Sequence, residues 1–207
     1  MQIAVLVATV VAALANWWSR LRHDDRLEQW TKPLTTVLVI ALAAVSGAPG
    51  DQITVAVVAL TLCLAGDVFL LPAIDRFVLG LASFLLGHVV FVVLFVHYGL
   101  ESLPLGAAAA IVAMVLAITA GVVIVRKAAA QDAALRLPVA AYLAVISTMA
   151  VVGWSTGNPW VVGGTTLFVI SDSVLGWRQF VRPASWMGPV VMITYHGAIA
   201  SLALSLW

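Results

Sequence analysis

Charge is what this chain has least of. Ten Lys and Arg and nine Asp and Glu make up 9% of its 207 residues, against about a quarter in soluble globular domains. With 63% hydrophobic residues and a mean hydropathy of +1.12, that deficit excludes a water-soluble globule and puts the chain in lipid. Cysteine is almost absent. Cys63 stands alone, so neither an internal disulfide nor a multi-cysteine metal site can form. The net charge of +1, with no Gly-rich phosphate loop and no low-complexity tail, gives no footing for a nucleic-acid partner. The first apolar run has no basic segment ahead of it, so it is expected to stay as the first helix instead of acting as a cleaved signal.

What the chain does have is long apolar sequence. Runs at 1–18, 33–49, 53–72, 77–98, 104–125, 137–154, 160–177 and 186–206 approach the ~20 residues that cross a hydrocarbon core as helix. They predict an all-α fold, a polytopic bundle of eight transmembrane helices, with residues 1–207 forming a single integral membrane domain. Every basic residue lies in an alternate gap: Arg20, Arg22, Arg26 and Lys32 after the first run, Arg76 after the third, Arg126, Lys127 and Arg136 after the fifth, Arg178 and Arg182 after the seventh. Short basic loops stay in the cytoplasm, so both termini are expected on the non-cytoplasmic side of a cell membrane. Trp17, Trp18, Trp30, Trp154, Trp160, Trp177, Trp186 and Trp207 all fall at expected span ends, where indole prefers the headgroup region.

Ionisable groups inside spans cost at least ~2.5 kcal/mol and normally face a bundle interior or a cavity. Asp67 and Asp172 are the two carboxylates so placed, each near the cytoplasmic end of its run, and matched depth would let them share one cavity. Asp24, Asp25, Glu28, Asp51, Asp75, Glu101 and Asp132 fall in gaps or at helix ends and are expected to be solvated. His23 and His97 read as surface groups, whereas His88 and His196 fall near the midplane of the runs that follow the two aspartates. Phe84, His88, Phe91 and Phe95 share one helical face, and Ser83 with Gly87 forms a small-xxx-small pair suited to close packing. Asp67 to His88 and Asp172 to His196 recur at similar separations, two points that hint at a four-helix repeat without establishing one.

Read in order, these residues carry a resemblance. Lys32-Pro33-Leu34-Thr35, Gly66-Asp67 ahead of Pro72, Gly80, Phe84 and His88 at intervals of four, the run Leu167 to Asp172, and Tyr195 in the last span resemble the YhhN-type lysoplasmalogenases over nearly the whole chain. The chain departs from that family where Ile199 follows Tyr195 by one turn in place of a common Gln or His, and where His196 stands beside the tyrosine. The resemblance implies a lysophospholipid substrate and hydrolysis of its vinyl ether bond, giving a fatty aldehyde and a glycerophospho-alcohol with no cofactor and no metal.

Vinyl ether hydrolysis needs an acid that protonates carbon and a negative charge to face the oxocarbenium ion. Two carboxyls in a low-dielectric cavity can divide those tasks, as a glycosidase pair does. On this reading Asp67 and Asp172 are the catalytic pair, with either one as the acid; His88 orients water or a carboxylate, and Tyr195 donates a hydrogen bond. Lys32, with Arg76 or Arg178, would hold the phosphate at a mouth in the cytoplasmic leaflet, while Phe84, Ser171 and His196 would contact substrate, its chain lying along the phenylalanines of the fourth span. Two other readings use the same residues: a metal-dependent lipid hydrolase with His88, His196 and one aspartate on zinc, and a small proton-coupled transporter.

Overall fold

The computed structural model describes residues 2–207; Met1, which opens the first expected span, lies outside the described residues. The described chain is almost wholly helical, and two of its helices open on side-chain caps. They are α1 (Gln2–Arg22), α2 (Asp25–Ala44), α3 (Gly50–Phe69), α4 (Phe77–Tyr98), α5 (Leu103–Leu116), α6 (Val122–Gln131), α7 (Arg136–Ser155), α8 (Pro159–Phe180) and α9 (Met187–Leu204). A π-helical turn over Ala117–Gly121 joins α5 to α6, so these two form one rod over Leu103–Gln131. Eight long helical rods result, and no strand occurs among the described residues. At α2, Asp24 accepts the Leu27 N–H at 3.0 Å, and Asp25 and Glu28 in the first turn complement the helix dipole. At α8, Asn158 accepts from the Trp160 and Val161 N–H groups and Pro159 fills the first helical position.

Seven of the eight rods are long and apolar enough to cross a membrane. The exception is α2, whose first turns carry Asp25, Arg26, Glu28 and Lys32. Here the sequence expectation needs correcting. The segment read as a basic loop up to residue 32 is already helix from Asp25, with Pro33 inside it, and its polar side faces inward: Glu28, Thr31, Lys32, Thr35 and Thr36 are all buried. The reason is local. Density of charge resembles a solvated gap, but on a helix these residues recur at three- and four-residue spacing and form one face.

Contacts between neighbours form a closed circuit, α1 to α2, α3, α4, α7, α8, α9 and back to α1, while the α5–α6 rod packs outside against α7. The last helix is the most enclosed of the candidate spans and also touches α2. Phe91, Phe95 and Phe168 fill the middle of the core with no exposure. Small residues permit close approach where it matters. At Gly87 an added Cβ would stand 3.2 Å from the Ala59 carbonyl oxygen, so α4 lies tight on α3 there. Ser83, the other half of that pair, faces outward and bonds back to the Leu79 carbonyl. Gly66 accommodates the Phe84 ring, whose nearest carbon would be 2.5 Å from any Cβ at that position.

Candidate active site

Two helices that end on the same side supply the carboxylates. Asp67 is two residues from the end of α3 and Asp172 eight from the end of α8, or about 3 and 12 Å along their axes. Their depths are unequal relative to their own helix ends, yet both line one cavity of about 370 Å³. Lys32, Phe84, Ser171 and Tyr195 line it too, with Arg20, Glu28, Asp75 and Arg178 toward its rim.

The surroundings of the two aspartates differ. Asp67 is fully buried; its Oδ2 accepts from the Thr36 hydroxyl at 2.5 Å and the Tyr195 hydroxyl at 2.8 Å, and its Oδ1 faces the Lys32 ammonium at 3.6 Å. Two hydroxyl donors on Oδ2 and a cation facing Oδ1, which has no hydrogen-bond partner among the described residues, favour a carboxylate anion here. Asp172 accepts a short hydrogen bond from the Tyr142 hydroxyl and, among the described residues, has no Lys or Arg within ion-pair distance. His88 Nε2 stands 3.8 Å from Asp172 Oδ2, and neither ring nitrogen of this wholly buried histidine has a hydrogen-bond partner among the described residues. Phe168 packs edge-on to the imidazole at 4.7 Å between centroids, and Tyr142 does so at 5.4 Å, fixing its plane.

Several sequence expectations change on contact with this geometry. Lys32 lies inside the bundle against Asp67, away from the open mouth. Glu28, expected to be solvated, is 5% exposed and pairs with Arg20. His196 points away from the cavity that Tyr195 lines, because consecutive helical residues project about 100° apart; its Nδ1 accepts from Trp17 Nε1 at 3.1 Å. That bond also turns the Trp17 indole inward, toward the bundle instead of the headgroup belt. Ser171 lines the cavity but gives its hydroxyl to the Val191 carbonyl at 3.2 Å, tying α8 to α9. The phenylalanine stripe of α4 is packed core at Phe91 and Phe95, so of that stripe Phe84 reaches the cavity and the other two leave no bed for a lipid chain.

Tyr142 and Thr36 were not singled out from the sequence. A signal for Tyr142 existed, since only three tyrosines occur in the chain and this one sits inside an apolar run. For Thr36 none did. Among the described residues, no group of three or more His, Cys, Asp or Glu side chains gathers closely enough to hold a metal ion. The ligand set considered for zinc is dispersed, with His88 beside Asp172 and His196 bonded to Trp17.

Apolar helices surrounding a sequestered pair of carboxyls, one facing a lysine and the other a histidine, define a multi-pass membrane protein with a polar site sunk among its helices. The chain belongs to the YhhN family, which it matches over residues 27–206. A 73-residue stretch is 42% identical to a protein of Rattus norvegicus named lysoplasmalogenase TMEM86B; the match covers 33% of this chain and 29% of that relative. No solved structure matches the chain.

Proposed function

We propose that this protein is a lysoplasmalogenase-type ether hydrolase, cleaving the vinyl ether bond of a lysoplasmalogen to a fatty aldehyde and a glycerophospho-alcohol. The observation that carries the reading is the unequal pair on one cavity wall: Asp67 neutralised by Lys32, Asp172 with a phenol donor and no Lys or Arg. Family membership and the name of the rat relative support the same chemistry.

In this mechanism Asp172 is the general acid. Its proton goes to the vinyl carbon remote from oxygen, and the electron pair of the double bond forms the new C–H bond. The resulting oxocarbenium ion is faced by the Asp67 carboxylate, whose charge Lys32, Thr36 and Tyr195 hold in place. Asp172, now a carboxylate, takes a proton from water as the water oxygen attacks the cationic carbon. The hemiacetal then breaks its bond to the glycerol oxygen, which leaves as an alcohol with the proton from Asp172, while the hemiacetal hydroxyl gives its proton to Asp172 as the carbonyl forms and the aldehyde is released. Water is consumed and the acid is regenerated, so the step balances without a further reactant. His88 does not line the cavity and acts through Asp172 as a positioning residue.

The reacting end of the hydrocarbon chain is assigned to the narrow apolar recess of about 30 Å³ beside Asp172, walled by Leu81, Ile124, Val139, Leu143 and Phe180. Ile124 and Leu143 continue from there into the groove between the Leu103–Gln131 rod and α7. The finer topology proposed with this reading is one membrane domain of eight spans, with α2 as the eighth, the basic connections and cavity mouth at the cytoplasmic leaflet, and both termini opposite.

The test is to incubate purified protein with a lysoplasmalogen and with its acyl-ester analogue, with and without EDTA. Aldehyde release from the vinyl ether alone, unchanged by chelator, is expected. Fatty-acid release from the ester, chelator-sensitive turnover, or uptake of unaltered lipid by proteoliposomes without aldehyde release would overturn the proposal.

A further inference from the structure

The polar cavity does not stop at the aspartates. At its rim it meets a second recess of about 300 Å³, lined by Arg20, His23, Arg178, Ser185 and Gly188 together with Pro183, Ala184 and Pro189. Arg20, Arg178 and Gly188 belong to both recesses, and among the described residues no Asp or Glu lines the second. Of the three Lys and Arg side chains that line the two recesses, ion pairing leaves one over among the described residues. Lys32 is matched by Asp67 and Arg20 by Glu28, whereas Arg178 has no carboxylate within ion-pair distance among the described residues.

The two guanidiniums converge on a single backbone position. A Cβ at Gly188 would stand 2.9 Å from one Arg20 terminal nitrogen and 3.4 Å from an Arg178 terminal nitrogen. Like charges brought together at a half-buried rim repel, and the repulsion is relieved when an anion sits between them. Planar guanidiniums suit a phosphate in particular, since each offers parallel N–H donors to two oxygens.

We infer that Arg20 and Arg178, brought together over Gly188, form a clamp for a phosphate ester at the junction of the two recesses. The clamp takes the phosphate role away from Lys32, which is committed to Asp67. It also reaches beyond the family match, because Arg20 precedes residue 27. Glu28 is the positioning residue: its bond to Arg20 aims that guanidinium while leaving Arg178 free. The identity of the ligand as a lysophospholipid rests on the function proposed above, but the clamp itself is tested without any turnover.

Two non-cleavable probes separate the issues: a 1-O-alkyl lysophospholipid, and the 1-O-alkylglycerol that lacks the phosphate. Equilibrium binding to the purified full chain is expected to favour the phosphate-bearing probe by at least about tenfold, the scale of one charge-assisted contact. Arg178→Gln, monitored for folding by thermal unfolding in the same detergent, should erase that preference and leave alkylglycerol binding intact. Gly188→Val, which fills the space beneath the guanidiniums, should do the same and serves if Arg178→Gln does not fold. Equal affinity of wild type for the two probes, or a folded Arg178→Gln that keeps the preference, would overturn the clamp. Inorganic phosphate competing at concentrations comparable to the lipid supports the clamp with free phosphate as ligand; competition only at far higher concentration supports a lipid-borne phosphate. A preference for the phosphate probe without aldehyde release from a lysoplasmalogen would retain the clamp and discard the hydrolase reading.

Discussion

Lys32 Nζ stands 3.6 Å from Asp67 Oδ1, with the lysine side chain 5% exposed and the aspartate not at all. Removing one partner of such a buried pair strands the other charge, at a cost of about 3–5 kcal/mol. Lys32→Met is therefore expected to lower the thermal unfolding temperature markedly as well as abolish aldehyde release. Lys32→Met with Asp67→Asn should recover most of the lost stability and none of the activity. A single mutant as stable as wild type would show that the pair does not carry the load assigned to it.

The two aspartates are expected to fail differently from their tyrosine partners. Asp172→Asn removes the proposed proton donor and should reduce turnover by about 10²-fold or more, the usual worth of a general acid. Asp67→Asn should also abolish turnover. Tyr142→Phe leaves the Asp172 carboxyl in place and removes its one hydroxyl donor, so a smaller loss of kcat, about tenfold, is expected with KM nearly unchanged. Steady-state kinetics on all three variants, each checked for monodisperse folding, decides the assignment; full activity in folded Asp172→Asn removes Asp172 from the mechanism.

Gly66 and Phe84 make a steric prediction. The ring of Phe84 occupies the space that a side chain at position 66 would need, and the same ring packs edge-on to Tyr195 at 5.6 Å between centroids. Gly66→Ala should therefore displace the ring and loosen the Tyr195 bond to Asp67, costing about 1–3 kcal/mol by overpacking. Combining it with Phe84→Leu should return part of the stability. No change in unfolding temperature in Gly66→Ala would mean that the ring moves aside freely.

These relationships separate what the chain discloses from what folding adds. Asp67 and Asp172 are legible because a carboxyl inside an apolar run is costly and stands out against its neighbours. The long runs are legible for the same reason, and α4 lies at 77–98 as its apolar run does. The start of α2 is not, since Glu28 and Lys32 look like loop charge until a helix turns them toward Arg20 and Asp67. The histidines mislead through chain order. His88 follows Asp67 and His196 follows Asp172, but the fold crosses them, giving His88 to Asp172 and His196 to Trp17. Hydroxyl partners such as Thr36 and Tyr142 leave no periodic trace, and only the packing of α2 on α3 and of α7 on α8 reveals them.

His88 is expected to act by holding Asp172, not by touching substrate. His88→Gln keeps much of the side-chain volume and a polar end group, whereas His88→Leu leaves Asp172 facing hydrocarbon. The expected result is a fall in kcat with little change in KM for Leu, and partial rescue for Gln. Equal losses in both would point to a structural role, and a large KM effect would point to substrate contact.

Proton delivery to carbon leaves an isotopic record. If Asp172 protonates the vinyl carbon remote from oxygen, hydrolysis in D₂O places one deuterium on carbon 2 of the aldehyde, because the acid exchanges its proton with solvent before each turnover. Any route from vinyl ether to aldehyde takes that hydrogen from solvent, so the side of entry is what discriminates. An acid fixed on one cavity wall delivers deuterium to one face, read by NMR of a chiral derivative, whereas an enol released into solvent is deuterated on both faces. Mass spectrometry of aldehyde trapped at once as an oxime, before it can enolise, should show a single added mass unit at carbon 2. The rate should also fall in D₂O, since the transfer to carbon is the slow step. Aldehyde deuterated equally on both faces, with no fall of rate in D₂O, would remove the acid role from Asp172 even if the enzyme hydrolyses the lipid.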